Sequence, residues 1–319
     1  MPHHTPDFDM PYHDGEIEVQ TRLGVHERAA ALGRGMIRDH LIDQHRKFYA
    51  DLTFLIVGSA DDQGRLWASA ISGAPGFLST PDDRTLSVAA APVPGDPLAD
   101  NLRAGADIGV LGMLPEVRRR NRMTGRIGEV RPYGFDINVL QSFGNCPQYI
   151  QARTVEPARF QPIPPETEIS DRFDDAAKAQ ITAADALFIA SAYRDSDAVE
   201  QGADASHRGG KPGFVKVLDD RRFVFPDFRG NNIYNTIGNI VRNPGAGFLF
   251  IDFDTGDMLT MTGEAGIIWE GPEVDAFEGA ERLVEFEAAE IRRIRGGFAH
   301  RSVFMERAPQ LARTGDWSS

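Results

Sequence analysis

Gly210-Lys211-Pro212-Gly213-Phe214, with the turn Asp219-Asp220-Arg221 behind it, repeats Gly73-Ala74-Pro75-Gly76-Phe77 and Asp82-Asp83-Arg84. Gly213 lies 137 residues after Gly76, and Asp219 lies 137 after Asp82. Upstream, the apolar run Phe54-Leu55-Ile56-Val57 returns as Leu187-Phe188-Ile189-Ala190. Downstream, Met123-Thr124-Gly125 returns 138 residues later as Met261-Thr262-Gly263. Offsets this constant mark two copies of one unit, and a period this long means duplicated domains, since solenoid repeats are much shorter. Two related halves can build a pocket at their seam, as two subunits do in a homodimer.

The chain has 319 residues, enough for two domains with a core each. Asp and Glu number 47 against 34 Lys and Arg, a net charge of −13. That balance opposes nonspecific binding to nucleic acid or anionic membrane, yet leaves room for a local basic pocket. The single cysteine, Cys146, excludes an internal disulfide and a multi-cysteine metal site. The start Met1-Pro2-His3-His4-Thr5-Pro6-Asp7 lacks the apolar core of a signal peptide, and no stretch approaches the roughly 20 apolar residues of a membrane span. These features predict a soluble, cytoplasmic protein.

Residues 1–48 read as a polar arm over 1–25 followed by a helix, with Ala29, Ala30, Leu32, Met36, Ile37, Leu41 and Ile42 at three- and four-residue steps. Residues 49–155 form a first unit of short strands: Leu52–Gly58, Trp67–Ser72, Phe77–Ser79, Leu86–Ala91, Ile108–Met113 and Phe135–Val139, with a short helix near Asp100. The prolines within 152–168 predict a linker without regular structure. A second unit, 169–319, repeats the scheme: a helix near Asp174–Ile181, strands at Ala186–Ala192, Phe214–Leu218 and Arg222–Phe225, a helix over Asn232–Val241, and strands at Gly247–Phe253 and Met258–Thr262. Val284–Ile294 fits helix or strand by pattern and a closing strand by position. Many short antiparallel strands with helices at their edges predict a mostly β protein of two small barrels.

The chemistry concentrates in Gly213–Asn239. A hairpin delivers the chain to the polar turn Arg229-Gly230-Asn231-Asn232, which opens a helix. Helix N-termini present free N–H groups that suit a phosphate, and Asn231, Asn232, Arg229 and Lys211 supply further donors. Asn also favours turns and helix caps, so a purely structural role for these asparagines stays open. No catalytic triad, P-loop, dinucleotide fingerprint or metal-ligand spacing is present, so a reactive atom would belong to a bound cofactor. The run Arg118–Arg122 reads as a solvated hairpin tip, Cys146 as a buried structural thiol, and His207, next to Arg208, as a pocket candidate.

Here the chain resembles the pyridoxamine-phosphate-oxidase-like, flavin-binding split-barrel superfamily, and especially its two-barrel branch. The likeness rests on the Asp-rich turn, Phe225-Pro226-Asp227, Gly230-Asn231-Asn232, Asn243-Pro244, Gly247–Phe253 and Thr262-Gly263. Asp43-Gln44-His45, Arg118–Arg122 and Gly144–Ile150 extend it over roughly residues 10–300. The resemblance implies two tandem split β-barrels forming a pseudo-dimer, with an N-terminal helical extension. It implies FMN, or FAD, at the barrel seam and a flavin-dependent oxidoreductase acting on a small-molecule substrate, with an electron-donor nucleotide or reductase as partner. Residues expected at the cofactor are Arg208, Lys211, Phe225, Pro226, Asp227, Arg229, Asn231, Asn232, Asn235 and Thr236; catalytic residues stay unassigned and no metal is expected. In the first unit Ala91–Pro97 replaces the Asn-rich turn, so one site per pair of barrels is expected. A non-catalytic flavin- or nucleotide-binding or sensing module, or a heme-handling relative, are the alternatives. Pairing of two chains into a homodimer is also compatible with such a fold.

Overall fold

The computed structural model describes residues 11–157 and 165–317. Three helices come first: α1 (Asp14–Arg22), α2 (His26–Met36) and α3 (Asp43–Ala50). The arm expected over residues 1–25 is therefore helical from Asp14, and residues 1–10 lie outside the described part. A capping box starts α1: the His13 imidazole accepts from Gly15 N–H at 3.0 Å, and Glu16 accepts from the His13 N–H at 2.9 Å. The single helix expected over Gly24–Phe48 is two, because Arg38 leaves helical geometry to exchange backbone hydrogen bonds with Ser142 at 3.0 and 2.7 Å.

The first unit contains β1 (Phe54–Ala60), β2 (Leu66–Ser72), β3 (Leu78–Ser79), β4 (Thr85–Val88), helix α4 (Leu98–Asn101), β5 (Asp107–Leu114), β6 (Arg119–Arg131) and β7 (Gly134–Asn145). They form a seven-stranded antiparallel sheet in the order β2-β1-β5-β6-β7-β4-β3. After β8 (Ala152–Pro157) come β9 (Glu166–Ser170), α5 (Asp175–Ala183), β10 (Ala186–Tyr193), β11 (Gly202–Gly209), β12 (Lys216–Val217), β13 (Arg222–Phe228), α6 (Asn235–Arg242), β14 (Gly245–Ile251), β15 (Met258–Ile268), α7 (Pro272–Asp275), β16 (Ala280–Arg295) and β17 (His300–Glu306). The second sheet runs β11-β10-β14-β15-β16-β13-β12, with β9 added on β16. Strand for strand, β1–β7 and β10–β16 have the same connectivity. The protein is mostly β, and Val284–Ile294 lies within the strand β16.

Each sheet wraps its own core. Leu55, Val57, Leu86, Val110, Met123 and Ile137, from five strands of the first sheet, meet in one buried cluster. Leu187, Ile189, Phe223, Phe225, Phe248, Met261 and Phe286 do the same in the second. The alternate residues of the same strands make a third cluster between the sheets: Phe54 and Ile56 of β1 with Phe188 and Ala190 of β10. Strands buried on both faces need apolar residues at every position, which is why β1 and β10 read as unbroken apolar runs.

The seam is closed by equivalent contacts from each half. A Cβ on Gly109 would lie 2.5 Å from Asp204 Cα, and one on Gly247 would lie 2.6 Å from Trp67 Cα. Gly247 follows Gly109 by 138 residues, and Asp204 follows Trp67 by 137. Asn101 donates to Ser59 Oγ at 2.9 Å, and Asn239 donates to Ser191 Oγ at 3.0 Å. The repeated Thr-Gly pairs are register shifts in both sheets, at Thr124/Gly125 and Thr262/Gly263.

The linker expected over 152–168 is ordered at both ends. Ala152–Pro157 pairs with β17, and Glu166–Ser170 pairs with β16, since prolines at a strand end or edge leave the remaining donors usable. Residues 158–164 lie outside the described part.

Candidate functional site

β11 and β6 face each other across the seam and set the chemistry. β11 brings Ser206, His207 and Arg208; β6 brings Arg120 and Arg122, two positions apart and so on one face. β13 adds Pro226 and Asp227, and the start of α6 adds Asn235 and Thr236. Asn145, Cys146, Gln148 and Tyr149, at and beyond the end of β7, close the side. The cleft between them has a volume of about 90 Å³. It adjoins a cavity of about 1080 Å³, with Gln148, Tyr149, Gly230, Asn231 and Asn232 bordering both.

Of the expected cofactor residues, Arg208, Pro226, Asp227, Asn231, Asn232, Asn235 and Thr236 come together in this cleft. Arg229 lies in the wall of the outer cavity, where its carbonyl accepts from the Tyr149 hydroxyl at 3.1 Å. Two residues do not reach the site. Phe225 alternates with Pro226 and so points into the barrel core, 5.8 Å from the Phe248 ring. Lys211 donates to the Thr314 carbonyl at 2.6 Å.

The expected helix start also moves. Asn232 and Tyr234 both have φ of 65°, and α6 begins at Asn235. Asn231 accepts from the Ile233 N–H at 3.1 Å, an Asx-turn, and donates across the seam to Asn145 at 3.1 Å. The N–H groups of Asn231 and Asn232 therefore belong to the turn, not to the first helical residues.

The run Arg118–Arg122 is not a solvated tip. Arg118 forms a left-handed turn, and the chain then enters β6, which carries Arg120 and Arg122 into the seam. Arg122 is buried and ion-paired with Asp204. Arg208 pairs with Asp227 at 3.1 Å, and the buried Arg282 reaches the same carboxylate at 2.5 Å. Arg120 differs. Its Nε donates to the Cys146 carbonyl at 2.9 Å and its Nη1 lies 3.1 Å from His207 Nδ1, with no carboxylate in ion-pair range among the described residues. Burial, and then the Arg208 and Arg122 charges, pull its guanidinium down to about 10, so it is cationic at neutral pH. Cys146 is partly exposed, with Sγ 3.8 Å from Arg120 Nη2, which replaces the buried structural thiol expected.

Burial, followed by the charges of Arg120 and Arg208, holds His207 well below its usual value. Thr236 donates to Ser206 Oγ at 2.9 Å, and Asn235 donates to the buried Glu16 of α1. The N-terminal helix thus braces the cleft from behind. Burial pushes Glu16 well above the usual carboxylate range.

The other side of the seam lacks this chemistry. The positions matching Arg120, Arg122, His207 and Asp204 are Met258, Thr260, Ala70 and Trp67, by the same 137- and 138-residue offsets. Met258 and Ala70 pack in the apolar seam cluster, and Thr260 donates to the Ala68 carbonyl at 2.7 Å. The strand framework is repeated, but among the described residues the Arg120–His207 pairing is built once. Among the described residues there is no group of three or more potential metal ligands, and no helix is long and apolar enough to cross a membrane.

No protein-family model and no curated protein matches the chain. Solved structures similar to it include HupZ from Group A Streptococcus, at 14% identity over 36% of this chain and 90% of that one, TM-score 0.29. A candidate pyridoxamine 5′-phosphate oxidase from Lactobacillus delbrueckii is 12% identical over 38% of this chain and 94% of its own, TM-score 0.30. The chain is also similar to an FMN-binding protein from Syntrophomonas wolfei, at 13% identity over 36% of this chain and 83% of that one, TM-score 0.27.

Proposed function

We propose that the two sheets descend from one duplicated unit, and that their seam binds a phosphorylated flavin, FMN before FAD, for oxidoreductase chemistry on a small molecule. The observation that carries the reading is Arg120: a guanidinium turned into a cleft with no carboxylate to balance it among the described residues. A half-buried cation without a counter-charge is still costly, so the site favours an anion. The donor set suits phosphate oxygens, with Arg120 and Arg208 as charge-assisted donors and Asn231 and Asn235 as amides. Sizes agree as well. A cleft of about 90 Å³ takes a phosphate-sized group, and the border it shares with the outer cavity, at Gly230, Asn231 and Asn232, leaves room for a ring system.

A bound flavin supplies electron or hydride transfer, chemistry that no side chain here provides. The chain's own part is to hold and orient. Arg120 and Arg208 fix the anionic end, Asn231 locks the turn to Asn145 of the other half, and Pro226 and Tyr149 offer apolar surface that limits water. His207 accepts from Arg120 through Nδ1 and is not available there as a base.

That last point also favours a second reading, a flavin-binding module without turnover. Mixing the FMN-loaded chain anaerobically with a reduced nicotinamide nucleotide separates the two. Bleaching of the flavin band faster than for free FMN supports an oxidoreductase; bleaching at the free rate leaves the binding module.

A further inference from the structure

The outer cavity has a charge pattern of its own. Arg28 on α2, Arg229 after β13 and Arg313 near the C-terminus stand around it, and no carboxylate lines it among the described residues. None of the three guanidinia is ion-paired to a described residue, in a chain where arginines such as Arg65, Arg131, Arg293 and Arg295 all are. On a protein of net charge −13, three such cations around one carboxylate-free hollow form a local attractor for anions. The cavity also exceeds what a lone anion needs: its 1080 Å³ reaches the upper end of small-molecule sites. Gln310 stands in its wall and brings an amide to meet a polar edge on the ligand. The partly buried Tyr149 ring, backed at 5.1 Å by Phe228, gives a flat apolar surface for a planar base.

We infer that the outer cavity is a second ligand site, separate from the arginine cleft, that takes a nucleotide carrying at least two phosphate groups. Arg28, Arg229 and Arg313 meet the phosphates, and Tyr149 and Gln310 meet the base. If the flavin reading of the inner cleft holds, this nucleotide is the reactant that exchanges electrons with it; binding of the nucleotide does not depend on that reading.

Calorimetric titration of the full chain with ADP, with and without saturating FMN, tests the inference. The expected result is one ADP per chain, bound in both conditions and weakened about tenfold or more by Arg28→Ala or Arg313→Ala. Arg120→Met should leave ADP affinity unchanged. No ADP binding, equal binding by the variants, or competition of ADP with FMN would overturn the separate site. Inorganic pyrophosphate binding as tightly as ADP would overturn the contact with the base. ADP binding without FMN binding would sink the flavin reading and keep this one; FMN binding without ADP binding would do the reverse.

Discussion

The Arg120 guanidinium lies 3.1 Å from His207 Nδ1, across the seam between two sheets of matching connectivity. A guanidinium only donates, so Nδ1 must accept and the imidazole is neutral. Proton NMR across pH 5 to 8 should therefore show no titration of the His207 ring in the native protein. In Arg120→Met the ring loses its cationic neighbour, and its titration should shift upward. A His207 that titrates near its ordinary value in the native chain would contradict the pairing.

Asp227 carries two arginines, Arg208 on the cleft side and Arg282 behind it, and Arg282 is only 2% exposed. Asp227→Asn takes the buried partner from Arg282 and leaves it Glu281 at 3.0 Å, a loss of one charge-assisted contact that costs about 1.5–3 kcal/mol in folding stability. Urea unfolding reads the loss. A variant within about 0.5 kcal/mol of the native protein would show that Glu281 alone satisfies Arg282.

Burial, and then the Arg119 and Arg38 charges, lower His45 to about 4. Burial likewise brings His13 to about 4. The unfolded chain then binds more protons than the folded one between pH 6.5 and 4, so stability is complete above 6.5 and is lost as pH falls through that window. Each histidine contributes a slope of up to about 1.4 kcal/mol per pH unit. His45→Gln should flatten the curve, as measured by denaturant unfolding from pH 7.5 to 4. An unchanged slope would remove His45 from the balance.

Gly109 and Gly247 make close backbone approaches between the halves. Gly247→Ala puts a methyl 2.6 Å from the Leu66 carbonyl oxygen, and backbone cannot swing aside as a side chain can. Overpacking of this kind costs about 1–3 kcal/mol. Gly35→Ala on α2 meets nothing within 4 Å and should be neutral or slightly stabilising. Thermal unfolding compares them, and equal midpoints for the two variants would show that the seam opens freely.

The repeated framework is legible in the sequence because its signals are local. Phe54–Val57 and Leu187–Ala190 are apolar at every position as two-sided burial demands, and the Thr-Gly pairs stand at matching register shifts. The asparagine turn and the start of α6 lie within three residues of where the pattern puts them. What the pattern does not show depends on tertiary context. β11 reads Gly202-Ala203-Asp204-Ala205-Ser206-His207-Arg208-Gly209, poor in β-formers, and is a strand because β10 pairs with its whole length. Arg120 and Arg122 are hidden inside a basic run; their two-residue spacing is a strand signal that the neighbouring arginines mask. Proximity in sequence places Lys211 and Phe225 at the site, whereas strand alternation and the returning C-terminal segment turn them away.

Equilibrium titration with FMN, followed by flavin fluorescence and visible absorbance, decides whether the seam is a flavin site. One FMN per chain is expected, since the seam carries Arg120 and His207 on one side and Met258 and Ala70 on the other. Arg120→Met should weaken that binding by about 1.5–3 kcal/mol, or roughly 10- to 150-fold, with the fold intact. A chain that takes up no FMN, takes up two, or binds it equally well without Arg120 would contradict the account.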